Sequence, residues 1–223
     1  MTTPDRIVIF SHGFGVRKDD RGLLTDIASA LPEVVSVLFD YNEVDEGTHT
    51  LTIRPLSAQA TILNDVVSET RRVHPSAIID LIGHSQGTIV AALAKPIGVR
   101  KTLFLAPPFD MMIERTMERY SKRLDVEINL NGISRLSILD GWKRLVPAAY
   151  WKERENIDPF SLYNTFAKQT ELIIIEARQD EILPKVDLAG LSSAIETHLL
   201  DGAHNFGGGA RKPLLDLIRE YLL

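Results

Sequence analysis

The pentapeptide Gly83-His84-Ser85-Gln86-Gly87 constrains this chain more than any other stretch. It follows the apolar run Ala77 to Ile82 and precedes Thr88 to Ala94, so it reads as strand, sharp turn and helix. A serine at the tip of such a turn takes up a strained backbone conformation, and the flanking glycines relieve the crowding. The hydroxyl then stands clear of the sheet, at a helix N-terminus that favours negative charge. Read alone, Ser85 could equally be an ordinary helix N-cap. What separates the two readings is whether the partners of a nucleophilic serine occur further along.

They do, in the order serine, acid, histidine. The run Leu172 to Ala177 is followed by Arg178-Gln179-Asp180-Glu181, which puts Asp180 just beyond the end of a strand. Open α/β sheets bind their ligands at that edge. His204 follows a further strand in a Gly-Ala-His turn. Ser85 is then the expected nucleophile, His204 its general base and Asp180 the acid that orients the imidazole. Glu181 is the second choice of acid and Asp158 a remote third. Near the N-terminus, the strand Arg6 to Phe10 runs into Ser11-His12-Gly13-Phe14-Gly15. Acyl transfer needs preorganised N–H donors for an oxyanion, and Gln86 and Phe14 are placed to supply them.

With these residues in view, the chain resembles the α/β-hydrolase family of serine hydrolases on its esterase and lipase side. The resemblance runs from Arg6 to the C-terminus and is carried by His12 to Gly15, Gly83 to Gly87, Asp180 and His204. It is nearest in kind to small bacterial carboxylesterases, including the cinnamoyl esterase-like branch. The resemblance implies hydrolysis of short acyl or aryl esters through an acyl-enzyme. Thioester or amide hydrolysis, acyl transfer and a non-catalytic binding role remain the alternatives. Many relatives carry an Asp-x-x-Gly-x-Gly turn after the second strand. This chain has Asp40-Tyr41-Asn42-Glu43-Val44-Asp45-Glu46-Gly47 there, so a different rim is expected.

The alternation of strands and helices predicts a doubly wound, mostly parallel sheet of about six strands. Near-continuous apolar strands fit a sheet covered on both faces. Leu56, Ala60, Leu63 and Val67 mark one helix, and Leu214, Leu217, Ile218 and Tyr221 the last. The polar stretch Glu43 to Thr52 reads as a loop. Residues 109–166 break the alternation and read as a cap inserted into a core of 1–108 and 167–223. Within it, alternating runs around Asn131-Gly132 predict a hairpin over 125–130 and 133–138. Helices are expected near 111–122, 142–154 and 160–167. Eight of the fifteen aromatics fall in this insert. Met111, Met112, Trp142 and Trp151 are accordingly candidates for substrate contact, with Met117 and Tyr150, although a small cap also needs such residues for its own packing.

Composition narrows the partners. The 223 residues carry a net charge of −5, which leaves no basic excess for nucleic acid. The chain has no cysteine, so thiolate chemistry is excluded. No His-Glu-x-x-His pattern and no phosphate-cradling glycine loop occur, so neither metal nor cofactor is expected. No run reaches membrane-spanning length and no signal peptide is visible, which gives a cytoplasmic reading with a small-molecule ester as partner. The charge run Arg17-Lys18-Asp19-Asp20-Arg21 reads as a solvated loop. A homodimer is compatible with the sequence.

Overall fold

The structure, a computed structural model, describes residues 4–121, 125–137 and 141–223. From the N-terminus, β1 (Arg6–Ser11) leads into α1 (Leu23–Ala30) and β2 (Val35–Leu38). Two short strands follow, β3 (Glu43–Asp45) and β4 (Thr50–Thr52), then the long α2 (Leu56–Val73). Next come β5 (Ile78–His84), α3 (Gln86–Ala94) and β6 (Val99–Leu105). The insert contributes α4 (Ile113–Ser121), β7 (Val126–Glu127), β8 (Ile133–Ser137), β9 (Lys143–Pro147), α5 (Ala148–Glu155) and α6 (Pro159–Phe166). The chain closes with β10 (Glu171–Ala177), β11 (Glu196–Leu200) and α7 (Arg211–Leu222).

The expected sheet is present: six strands in the order β11-β10-β6-β5-β1-β2, with parallel pairing throughout. Each strand feeds two cores because side chains alternate across it. On β1, Ile7 and Ile9 enter one buried cluster while Val8 and Phe10 enter the other. Leu172 and Ile174 against Ile173 and Ile175 repeat the pattern on β10. The second cluster is closed by Leu23, Leu24 and Ile27 of α1 and by Leu214, Ile218 and Leu222 of α7. The first is closed by α2 and α3, and Ile89 to Ala92 of α3 are wholly buried. Chain order reverses between β1 and β5, where open α/β sheets form a crevice at their C-terminal edge.

A second sheet, in the order β3-β4-β9-β8-β7, was only half legible. The hairpin in the insert is there, with Val126 opposite Leu136 and Glu127 opposite Arg135. The stretch Glu43 to Thr52 is a strand pair rather than a loop. It is ordered by β4 lying parallel to β9, Leu51 facing Arg144, a pairing that no local pattern announces. The same pairing makes residues 143–147 a strand where a helix from 142 was expected, and the helix α5 starts only after Pro147. Asp158 caps α6 by accepting from the N–H groups of Phe160 and Ser161, with Pro159 at the first helical position. Lys122 and Ile138, the outer ends of two expected elements, lie outside the described residues. Leu136, Val146 and Trp151 of the insert share one buried cluster with Ile7, Leu81 and Phe104 of the main sheet.

Candidate active site

Ser85 sits at the tip between β5 and α3 with φ 51° and ψ −124°. A non-glycine residue held there stores about 1–3 kcal/mol of strain. β1 passes so close to the turn that only glycine fits at 87: a β-carbon there would lie 2.1 Å from the Ser11 carbonyl oxygen. Ser11 Oγ in turn donates to the Gly87 carbonyl at 2.7 Å, so β1 and the elbow are locked together. Ser85 occupies the N-cap position of α3, yet its hydroxyl makes no capping hydrogen bond.

Asp180 lies three residues past β10 and His204 four past β11. His204 Nδ1 donates to Asp180 Oδ2 at 2.7 Å. The other carboxylate oxygen of Asp180 accepts from the N–H groups of Ile182 and Leu183, each at 2.8 Å. Burial pushes the Asp180 carboxyl up, but His204 and these two N–H groups outweigh it and hold the group below the usual range. Glu181, the second choice of acid, accepts from the backbone N–H of His204 at 3.0 Å instead. Asp158 is committed to its helix cap. The His204 imidazole is pushed below its ordinary value, chiefly by burial, which the Asp180 hydrogen bond only partly offsets. Its ring centroid lies 4.9 Å from that of His84, the residue immediately before Ser85.

Phe14 follows β1 and Gln86 opens α3, whose first N–H groups have no intrahelical partners. The Gln86 amide is held from both sides: Nε2 donates to Gln59 Oε1 at 2.9 Å, and Oε1 accepts from Tyr150. The Phe14 and Tyr150 rings lie 5.3 Å apart. His12 is neutral. Its Nε2 accepts from Tyr41 N–H at 3.1 Å, its Nδ1 donates to the Gly13 carbonyl at 2.9 Å, and burial keeps its pKa low.

A cavity of about 460 Å³ is lined by Ser85, Gln86 and Phe14. That volume suits a small organic ligand. Met111, Met112 and Tyr150 line it. The two tryptophans and Met117 do not. Trp151 is buried, with its Nε1 donating to Ser134 Oγ at 3.0 Å, so it serves the packing of the insert. Trp142 stacks on His49 under the Arg17 guanidinium, at a separate cleft beside Arg144. Sequence reasoning missed Arg115, Arg119 and Arg154, which line the cavity, and Ile182 to Pro184 on its far side. Their helical or loop positions carry no signature of a ligand. Among the described residues, no three His, Cys, Asp or Glu side chains are grouped as metal ligands would be. No helix among them is long and apolar enough to cross a membrane.

No family model matches the sequence, and no curated protein matches it. Solved structures match the backbone over nearly its full length, and they define an α/β-hydrolase fold. Est1E from Butyrivibrio proteoclasticus has a TM-score of 0.70 at 18% identity, covering 99% of this chain and 88% of its own. The esterase domain of a Rhodothermus marinus protein gives 0.68 at 17%, covering 99% and 87%. The siderophore hydrolase EstB from Aspergillus fumigatus gives 0.65 at 14%, covering 99% and 91%.

Proposed function

We propose that this chain is a serine hydrolase of carboxylic esters carrying short acyl or aryl groups. The observation that carries the reading is the strained Ser85 elbow at the same sheet edge as the 2.7 Å hydrogen bond between His204 and Asp180. The names of the structural neighbours, esterases and a siderophore hydrolase, lend support from outside the chain. Residues 1–108 and 167–223 form the core in this reading. Residues 109–166 form a cap that supplies one wall of the cavity. The substrate is a small ester, and the protein is cytoplasmic.

In this mechanism Asp180 holds the proton of His204 on Nδ1, which leaves Nε2 free to act as base. His204 Nε2 takes the Ser85 proton as Oγ attacks the ester carbonyl, and the N–H groups of Gln86 and Phe14 hold the resulting oxyanion. The carbon–oxygen bond to the alcohol then breaks. The alcohol leaves with the proton carried by His204, and an acyl-serine remains. Water, deprotonated by the same imidazole, attacks the acyl-serine and releases the acid.

A series of p-nitrophenyl esters from acetate to palmitate, with one aryl ester, tests the reading against a Ser85→Ala control. Turnover that depends on Ser85 supports it. Equal turnover in the variant, or none in the folded wild type, overturns it.

A further inference from the structure

The proposed mechanism leaves one buried ion pair unused. Asp20 belongs to the charge run that reads as a solvated loop, yet its side chain is 3% exposed and that of His84 only 2%. The turn that carries it inward is costly: Asp20 and Arg21 both have positive φ, 46° and 56°. Asp20 Oδ2 accepts from Gly13 N–H at 2.8 Å and from His84 Nδ1 at 2.7 Å. His84 Nε2 lies 3.2 Å from the backbone carbonyl oxygen of His204. The His84 ring is therefore held between a carboxylate and a carbonyl. With Asp20 ionised, neither offers a hydrogen, and an imidazolium that donates from both ring nitrogens satisfies both partners.

The electrostatics agree with that count. Burial pushes His84 down, but the Asp20 carboxylate overrides it and holds the imidazole above its ordinary value. Burial pushes Asp20 up, and His84 together with Gly13 N–H overrides that in turn. A buried pair of this kind rarely adds net stability, because desolvation consumes most of the attraction. Its geometry points elsewhere. It joins the oxyanion loop through Gly13, the elbow through His84 and the base loop through the His204 carbonyl.

We propose that Asp20 and His84 are a positioning pair, which fixes these three loops to one another and presents a positive charge to the His204 ring 4.9 Å away. This rests on His204 being the base. The other charged groups facing these rings are Asp180, which acts on both, and Glu181, which accepts from His204 N–H; Asp20 also favours a cation on His204, but less strongly than His84 disfavours one. A cation beside His204 disfavours a second one, so it keeps the base neutral in more acidic solution. Removing the cation moves the acid limb of kcat/KM to higher pH.

The test is Asp20→Asn, a near-isosteric change that tolerates the positive φ. It is read by ¹⁵N-histidine NMR and by the pH profile of ester hydrolysis. In the wild type, both His84 nitrogens are expected to carry hydrogens at neutral pH. In Asp20→Asn, His84 is expected to lose one, and the His204 titration and the acid limb both move to higher pH. kcat falls on the order of tenfold, the scale of a small misplacement of reacting groups. A singly protonated His84 in the wild type overturns the proposal, and so does an unmoved His204 titration in the folded variant. If the variant does not fold, the wild-type spectrum still decides. Absence of ester turnover in the wild type would sink the hydrolase reading alone, since the ring spectra are independent of activity.

Discussion

The phenolic oxygen of Tyr150 lies 2.5 Å from Oε1 of Gln86, so a residue of the insert orients the side chain of the residue that follows the elbow serine. Burial pushes the Tyr150 phenol up to about 12, which keeps it a hydrogen donor throughout the working range. Tyr150→Phe leaves the Gln86 carbonyl oxygen unpaired in a buried setting. Stability should fall by about 1–2 kcal/mol in urea melts, because an orphaned acceptor costs more than the bond contributed. Turnover should fall with it, while the bond from Gln86 to Gln59 keeps the loss within about tenfold. Unchanged melts and rates would show that the bond positions nothing.

Ser85 should separate activity from stability. Ser85→Ala removes the proposed nucleophile and should lower turnover by at least about 10³-fold in a folded protein. Ser85→Gly should be equally inactive but more stable, by about 1 kcal/mol, because glycine enters φ 51° without strain. A thermal melt of the glycine variant no higher than wild type would argue that the elbow is not strained.

The pH profile follows from the direction of two shifts. His204 is depressed by burial and must be neutral to act as the proposed base, so the midpoint of the acid limb of kcat/KM should lie below 6.5, its ordinary value. Stability runs a separate course. The depressed Asp180 contributes stability above the unfolded carboxylate pKa, and this is lost as pH falls through its lower folded value. His204 works against folding in the acid, because the unfolded chain takes up its proton first. Rate profiles and thermal melts over the same buffers check both signs. An acid limb with its midpoint at or above 6.5 would contradict the first.

Gly87→Ala tests the locking of β1 to the elbow. The added carbon meets backbone, not a side chain that can swing away. The expected loss is more than about 4 kcal/mol, enough to prevent recovery of folded protein. A folded Gly87→Ala variant with wild-type rates would mean that the Ser11 segment yields freely.

What could be read from the sequence was whatever a single turn specifies. Gly83 to Gly87, Asp180 beyond its strand and His204 in its Gly-Ala-His turn each carry their own local chemistry, and the alternating runs give the sheet. Partners chosen across the chain were not legible. Nothing near Asp20 distinguishes it from its solvated neighbours Asp19 and Arg21, and its burial is settled by His84, 64 residues away. Residues 143–147 are a strand because β4 lies beside them. Trp151 and Trp142 were misplaced for a related reason. Composition marks an aromatic as costly to expose, but it cannot say whether a core or a cavity receives it.

The pairing of β4 with β9 also governs how the insert can move. A segment attached only where it leaves and rejoins the chain can swing as a whole about two hinges. Here residues 50–52 hold it at a third point, and the ladder continues as Ile53 N–H bonds the Leu145 carbonyl at 2.8 Å. That pairing, with the buried cluster shared by Leu136, Val146 and Trp151 and the main sheet, opposes a hinged swing of the whole segment. Any widening of the cavity mouth then falls to the lining segments that no strand pairing holds, α4 with Thr116 and Arg119 and the loop Ile182 to Pro184. Access becomes a matter of local flexing at the rim against a fixed frame.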